Sequence, residues 1–210
     1  MKKLILLPNL VHEEGVFHYP VPFIHALIAE SDKGGRLFLR RFQVPACPIY
    51  LLNEHTQDVR SLLDIPEDIV GLISDAGLPC LADPGAQLVA LAQKKIPVET
   101  LPGPCSLIMA LQLSGFSGQN FAFHGYFPRE NLAGALKRLP RGVTHIFIEA
   151  PYKTGKVFES LVKALPEEAR LCVAFELTGP SASVQTKTVR EWKKSGISFQ
   201  KGRAVFLFAF

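Results

Sequence analysis

No apolar run in this sequence approaches the roughly 20 residues that a helix needs to cross a bilayer, so no membrane-spanning helix is expected within it. The start, MKKLILLPNLVHEE, sets two lysines before an apolar stretch, but that stretch stops after Leu4–Leu7 at Pro8, and glutamates follow. It is too short for a secretory leader and lacks a small-residue cleavage site, so it reads as the first strand of a cytoplasmic protein. Cysteine is scarce. Cys47, Cys80, Cys105 and Cys172 stand apart with no CxxC and no paired histidines, which predicts separate reduced thiols and no metal site. Also missing are GxxxxGK[ST], a GxGxxG after the first strand, HExxH and GxSxG. A phosphate-binding loop and a hydrolase nucleophile elbow therefore have no support.

Aspartate is absent from residues 121–210, where 14 lysines and arginines face 7 glutamates; residues 1–120 carry 9 basic against 12 acidic residues. A basic second half suits a phosphate-bearing partner, and equally a solvated lysine-rich surface; charge alone leaves both open. With 48% hydrophobic and 20% charged residues in 210, the chain has the composition of an ordinary globular protein and the length of two small domains.

The first half alternates. Leu4–Leu7 predicts a strand, and PVPFIHALIAESDKG predicts a helix with proline at its start and glycines at its end. Leu37–Leu39 and Ile49–Leu52 predict strands, and EHTQDVRSLLD has helical composition. Asp68–Ile73 is apolar on both faces, as a central parallel strand should be. AQLVALAQKK then predicts a helix, and VETLPGPCSLIMALQLSG a strand, turn and helix. The alternation predicts an α/β domain over residues 1–115 with a parallel sheet. SGFSGQN marks the boundary, and residues 120–210 form the second domain. There FAFHGYF, THIFIEAP, ARLCVAFELT, SVQTKTV and GRAVFLFAF predict strands; 129–139, TGKVFESLVKAL and VREWKKSG predict helices. Strands follow strands, so the second sheet is expected to be mixed or antiparallel.

Two loops carry the functional signal. SDAGLPCLADPG (74–85) and LPGPCS (101–106) each follow an apolar strand and precede a helix, which places both at the carboxyl edge of one sheet, where α/β folds bind ligands. Gly77 and Gly103 permit close backbone approach, and the prolines stiffen the loops. A rigid rim of backbone groups with one or two carboxylates suits a polar, zwitterionic ligand and repels a polyanion. Asp83, just before Pro84, reads as the N-cap of the next helix; Asp75 lies deeper, at the strand end.

SDAGLPCLADPG, LPGPCS, FHGYFP, FIEAPYK and FELT, in that order from about Asn53 to Thr178, resemble the tetrapyrrole-methylase-type (class III) S-adenosylmethionine methyltransferases. Within them the chain is most similar to the small-subunit ribosomal RNA (cytidine) 2′-O-ribose methyltransferases. The resemblance implies two α/β domains with the cofactor in the cleft between them, and a homodimer. It implies cofactor contacts at Asp75, Ala76, Gly77 and Leu78, at Cys105, Ser106 and Leu107, and at Glu176, Leu177 and Thr178. Departures are present as well. The first loop reads LLPNLVH without the family's glycine, the acidic Glu-Asp-Thr-Arg-His stretch is matched to a basic LFLRRF, and Phe175 and Gly179 replace an arginine and a lysine around Glu-Leu-Thr.

Methyl transfer from a sulfonium is an in-line displacement that needs positioning of the acceptor and a base for its proton, but no metal. Glu149, at a strand end, is the preferred base; His55 and His124 also have the chemistry, though both suit structural roles. Arg40, Arg41, Lys153 and His55 are the candidate contacts to an RNA acceptor. Two other readings stay open: a tetrapyrrole or other small-molecule methyltransferase, and a non-catalytic member that only binds the cofactor.

Overall fold

The computed structural model describes residues 1–128 and 132–210, which form two compact units, Met1–Cys105 and Ser106–Phe210. In the first, strands β1 (Lys3–Leu6), β2 (Ala26–Ala29), β3 (Ile49–Leu51), β4 (Ile69–Leu72) and β5 (Val98–Thr100) make one parallel sheet in the order β3-β2-β4-β1-β5. Alternate residues serve opposite faces. Leu4, Ile28, Val70 and Leu72 enter one core with Leu88 of helix α2 (Ala86–Ala92), while Ile5, Leu7, Leu27 and Ile73 enter the other with Phe38 of helix α1 (Asp32–Arg41). Burial on both faces is why these strands read as continuous apolar runs.

The expectation for PVPFIHALIAESDKG is corrected. Its ALIA is β2, fully buried and paired on both sides, and the helix begins only after Ser31. Gly34 and Gly35 therefore lie in the first turns of α1, where the Gly34 N–H donates to Ser31 Oγ at 3.0 Å, instead of ending a helix. The predicted strand Leu37–Leu39 lies within the same helix, with Phe38 and Leu39 on its buried face. A four-residue apolar run does not distinguish strand from helix; two-sided pairing decides it. EHTQDVRSLLD yields only a short 3₁₀ turn, Arg60–Asp64.

The second unit opens with helix α3 (Ser106–Ser114), which packs across strands β8 (Arg170–Phe175), β9 (Ser183–Thr188) and β10 (Ala204–Ala209). This packing puts the division between units ahead of α3, whereas the sequence places it behind, at residues 115–120. Strands β6 (Phe121–Tyr126) and β7 (Thr144–Glu149) complete a mixed sheet of order β6-β7-β10-β8-β9, in which only β6 and β7 run parallel. Phe147, Phe206, Phe208 and Trp192 centre its core, with Trp192 Nε1 donating to the Leu171 carbonyl at 2.8 Å. Helices α4 (Leu132–Lys137), α5 (Thr154–Ala164) and α6 (Val189–Ser195) complete the unit, α6 with a capping box between Thr188 and Glu191. Residues 129–131, where the predicted 129–139 helix begins, lie outside the described residues.

Candidate functional site

At the carboxyl edge of the first sheet the chain leaves β1 as Pro8-Asn9-Leu10 and leaves β4 as the 74–85 loop. Asn9 is 5% exposed, and its side-chain amide donates to the carbonyls of Ser74 (3.0 Å) and Asp75 (3.2 Å). The two backbones also bond reciprocally: Asn9 N–H donates to Gly77 O at 2.7 Å and Gly77 N–H to Leu10 O at 3.0 Å. The loop after β5 closes on the same place. A Cβ at Gly103 would collide with the Pro8 ring, and one at Gly77, whose φ is +71°, would meet Pro104 O at 3.6 Å. Glycine is required at 103 by close approach and at 77 by conformation. Two further residues of the 74–85 loop, Cys80 (φ 69°) and Ala82 (φ 66°), hold left-handed backbone without being glycine. Such strain persists only where surrounding structure enforces it, and it clusters at ligand sites.

Three carboxylates meet beside this loop. Glu30, directly after β2, accepts from the Asp75 N–H at 3.1 Å. The Asp75 carboxylate lies over the first turn of α1, so close to Gly34 that a Cβ there would overlap its Oδ1. Burial pushes the Asp83 carboxyl up to about 7; the charge of Glu30 adds to the shift, Asp75 adds less, and a hydrogen bond from Ser74 opposes it. Burial also raises Glu30, against the pull of the Asp75 N–H, and the Asp75 charge adds to the rise. Asp83 is therefore not the N-cap predicted for α2. Gly85 holds that position with no side-chain cap, because the helix starts beyond Pro84 and leaves Asp83 turned back toward Ser74. The resulting edge is anionic and stiff, suited to a ligand bearing positive charge.

In the second unit, Glu149 ends β7 and Phe175 ends β8, each in register with Ala204 of the intervening β10, so Glu149 and the 176–178 corner share one end of that sheet. The Glu149 side chain is 8% exposed, accepts from the Ala150 N–H at 2.8 Å and lies 3.9 Å from Lys153 Nζ. Glu176 and Thr178 have φ of 47° and 67°, the latter a marked strain for a β-branched residue. Glu176 Oε1 accepts from the Arg203 N–H and so shapes the corner. Thr178 Oγ1 is a buried hydroxyl with no hydrogen-bond partner among the described residues. A buried hydroxyl without a partner is uncommon in a folded chain and singles this corner out.

The predicted residues fall into distinct groups. Asp75, Ala76, Gly77 and Leu78 form the clamped loop; Cys105 ends the first unit; Ser106 and the buried Leu107 begin α3. His55 is exposed in the loop after β3, with its Nε2 3.7 Å from Glu54 Oε1. His124 and His145 bond each other at 3.0 Å, and His145 Nε2 bonds the Pro140 carbonyl, so this pair holds a strand edge and a turn together. Arg40 and Arg41 lie in the last turn of α1, at the opposite end from Ser31, and Arg41 donates to Glu13 O at 2.9 Å. Asn9 and Glu30 escaped the sequence reading. With β2 at Ala26–Ala29, the segment after it is Glu30-Ser31-Asp32-Lys33-Gly34, so an acidic stretch does follow the second strand, and LFLRRF was matched in the wrong place. Among the described residues no group of three or more His, Cys, Asp or Glu could hold a metal ion, and no helix is long and apolar enough to cross a membrane.

The sequence pattern of the tetrapyrrole (corrin/porphyrin) methylases matches residues 28–192. Ribosomal RNA small subunit methyltransferase I of Pseudomonas aeruginosa is 34% identical over 200 residues, covering 88% of this chain and 69% of that protein. The protein of that name from Vibrio cholerae is 30% identical over 169 residues, 75% of this chain and 59% of that protein. The chain thus spans roughly three-fifths to two-thirds of these relatives' length. Among solved structures, uroporphyrin-III C-methyltransferase from Thermus thermophilus superposes with a TM-score of 0.60 at 18% identity, over 100% of this chain and 94% of that one. A structure of that enzyme complexed with S-adenosylhomocysteine superposes with a TM-score of 0.61 at 14% identity, over 100% of this chain and 97% of that one; both likenesses concern the fold.

Proposed function

The chain belongs to the tetrapyrrole (corrin/porphyrin) methylase family, and from that membership we propose that it transfers a methyl group from S-adenosylmethionine to a ribose 2′-hydroxyl of small-subunit ribosomal RNA. The observation that carries the cofactor half is the clamped 75–78 loop with the Glu30 and Asp75 carboxylates beside it, a backbone rim with acidic groups for a cationic amino-acid end. The names of the relatives carry the RNA half.

When bound, S-adenosylmethionine supplies a methyl group on a positively charged sulfur. The backbone of Asp75, Ala76, Gly77 and Leu78 orients the amino-acid end, and Cys105, Ser106 and Leu107 are further contacts. In the second unit the unpartnered Thr178 Oγ1 supports the Glu176-Leu177-Thr178 corner as a further cofactor contact. Glu149 is the proposed base, taking the proton of the acceptor hydroxyl at Oε1 or Oε2, with Lys153 Nζ 3.9 Å from its carboxylate. Lys153, Arg40 and His55 contact the acceptor strand. The active form is a homodimer, which sedimentation at micromolar concentration tests.

The test is methyl transfer from labelled cofactor to small-subunit RNA or assembled subunits from a strain lacking this protein, with the label mapped. Label at a single ribose supports the proposal. Label on a porphyrinoid acceptor and none on RNA moves the function to small-molecule methylation. Absence of any S-adenosylhomocysteine binding by calorimetry at millimolar concentration overturns both.

A further inference from the structure

Helix α1 divides its residues cleanly between two faces. Gly35, Phe38 and Leu39 are buried, while Lys33, Arg36, Leu37 and Arg40 line the opposite side with Asp32. The spacing i, i+3, i+4, i+7 puts those four on one stripe. They border an open groove of about 530 Å³. Asp32 is the one acid among the five lining residues, and it pairs with Arg36, Nε to Oδ2, at 2.7 Å. Arg36 still has 75% of its side chain exposed.

The charge here is concentrated. Asp32–Arg41 holds four of the nine basic residues found in residues 1–120 and one of their twelve acids, so a positive stripe stands on a half that is otherwise negative. The orientation of the helix adds a direction. Its first turn sits at the carboxyl edge of the sheet, where Gly34 lies against Asp75, and its last turn lies at the other end. At about 1.5 Å rise per residue, Lys33 to Arg40 spans about 10 Å, the axial length over which a nucleic-acid strand presents about three phosphates.

We propose that this face of α1 is a docking track for the phosphodiester backbone of the RNA substrate, with Lys33, Arg36 and Arg40 as its phosphate contacts and Leu37 as the apolar floor between them. The inference rests on the RNA reading above. It differs from the sequence expectation in adding Lys33 and Arg36 and in removing Arg41, whose guanidinium serves the Glu13 carbonyl and lies outside the groove. Contacts of this kind position a strand without reading its sequence. The track leads from the cofactor edge outward, so it would hold RNA flanking the target nucleotide, not the target itself.

The experiment is a fluorescence-anisotropy titration of the full chain with a labelled RNA copied from the methylated region, over a salt series. It compares the wild type with the triple variant Lys33→Ala/Arg36→Ala/Arg40→Ala and with the control Lys94→Ala/Lys95→Ala, which removes charge from the turn after α2. The triple variant should weaken binding by about tenfold or more at low salt and lower the slope of log K against log salt by about 2, at roughly 0.7 for each phosphate no longer neutralised. The control should do neither, and S-adenosylhomocysteine affinity and melting temperature should hold in both. If the wild type binds and methylates RNA but the triple variant keeps the full salt slope, the track is wrong and the RNA reading stands. If the wild type binds no RNA, both fall. If poly-glutamate competes as strongly as RNA of equal charge, the groove is an unselective anion patch and the proposal is overturned.

Discussion

Asn9 holds Asp75 from behind: its buried amide donates to the Asp75 carbonyl at 3.2 Å and to the preceding Ser74 carbonyl at 3.0 Å, so the end of β4 is aimed by the loop that leaves β1. Asn9→Ala should remove both bonds and leave two carbonyls short of a donor. A loss of about 1–3 kcal/mol in urea unfolding is expected, with cofactor affinity down about tenfold by calorimetry. Full affinity in the variant would show that the loop keeps its shape unaided.

Asp83 should tie stability to pH. The folded chain keeps this proton up to about pH 7, whereas an unfolded aspartate releases it near 4. The folded form therefore binds more protons between those values, and stability falls as pH rises through that window and levels off above it. Asp83→Asn should flatten the slope and be the more stable protein at pH 8, by on the order of 1–2 kcal/mol once partial solvent screening is allowed for. Unfolding curves at half-unit pH steps measure this directly.

Gly34→Ala separates helix stability from site geometry. Alanine is the better helix former by about 1 kcal/mol, yet its Cβ would overlap the Asp75 carboxylate and stand 3.0 Å from Ser31 Oγ. The melting temperature should therefore shift little while cofactor affinity drops about tenfold; an unchanged affinity would mean that the position of Asp75 is immaterial to binding.

Thr178→Val tests the orphaned hydroxyl. Deleting a buried group with no partner should leave the unliganded protein as stable as before, or more stable by under about 1 kcal/mol. Affinity for S-adenosylhomocysteine should fall about fivefold, the worth of one neutral hydrogen bond. A variant that loses stability instead would identify the hydroxyl as structural.

Glu149→Gln keeps the shape of the β7 end and removes its basicity. Turnover should fall about 10²-fold or more with cofactor affinity nearly unchanged. Equal rates for the two proteins in a single-turnover assay would take Glu149 out of the chemistry.

Most of this architecture is legible in the residues. Strand β4 was readable because its burial on both faces leaves an unbroken apolar run, and the two loops at its edge because glycine and proline cluster there for steric reasons. Strand β2 was not, since ALIA is too short to show a period and Pro20, Pro22 and the following glycines mimic helix punctuation. Without β2 in place, neither Glu30 nor the acidic segment after it can be assigned to the sheet edge. Asn9 was invisible for a different reason: its importance lies in hydrogen bonds to residues 65 and 66 positions away. The shift in Asp83 likewise needs the neighbourhood of Glu30, which no local pattern contains.

Strand β10 is last of its five in chain order and central among them in space. Without it, the second unit has β6 and β7 as one hydrogen-bonded pair and β8 and β9 as another, with no strand pairing between them among the described residues. The two halves of that sheet can therefore become one hydrogen-bonded sheet only when Ala204–Ala209 takes its place. Glu149 and the 176–178 corner acquire their common frame only at that step, because each is aligned through Ala204. Nascent chains arrested before and after β10 should differ sharply in protease resistance, and the ability to bind a ligand through the second unit should appear only with the longer ones.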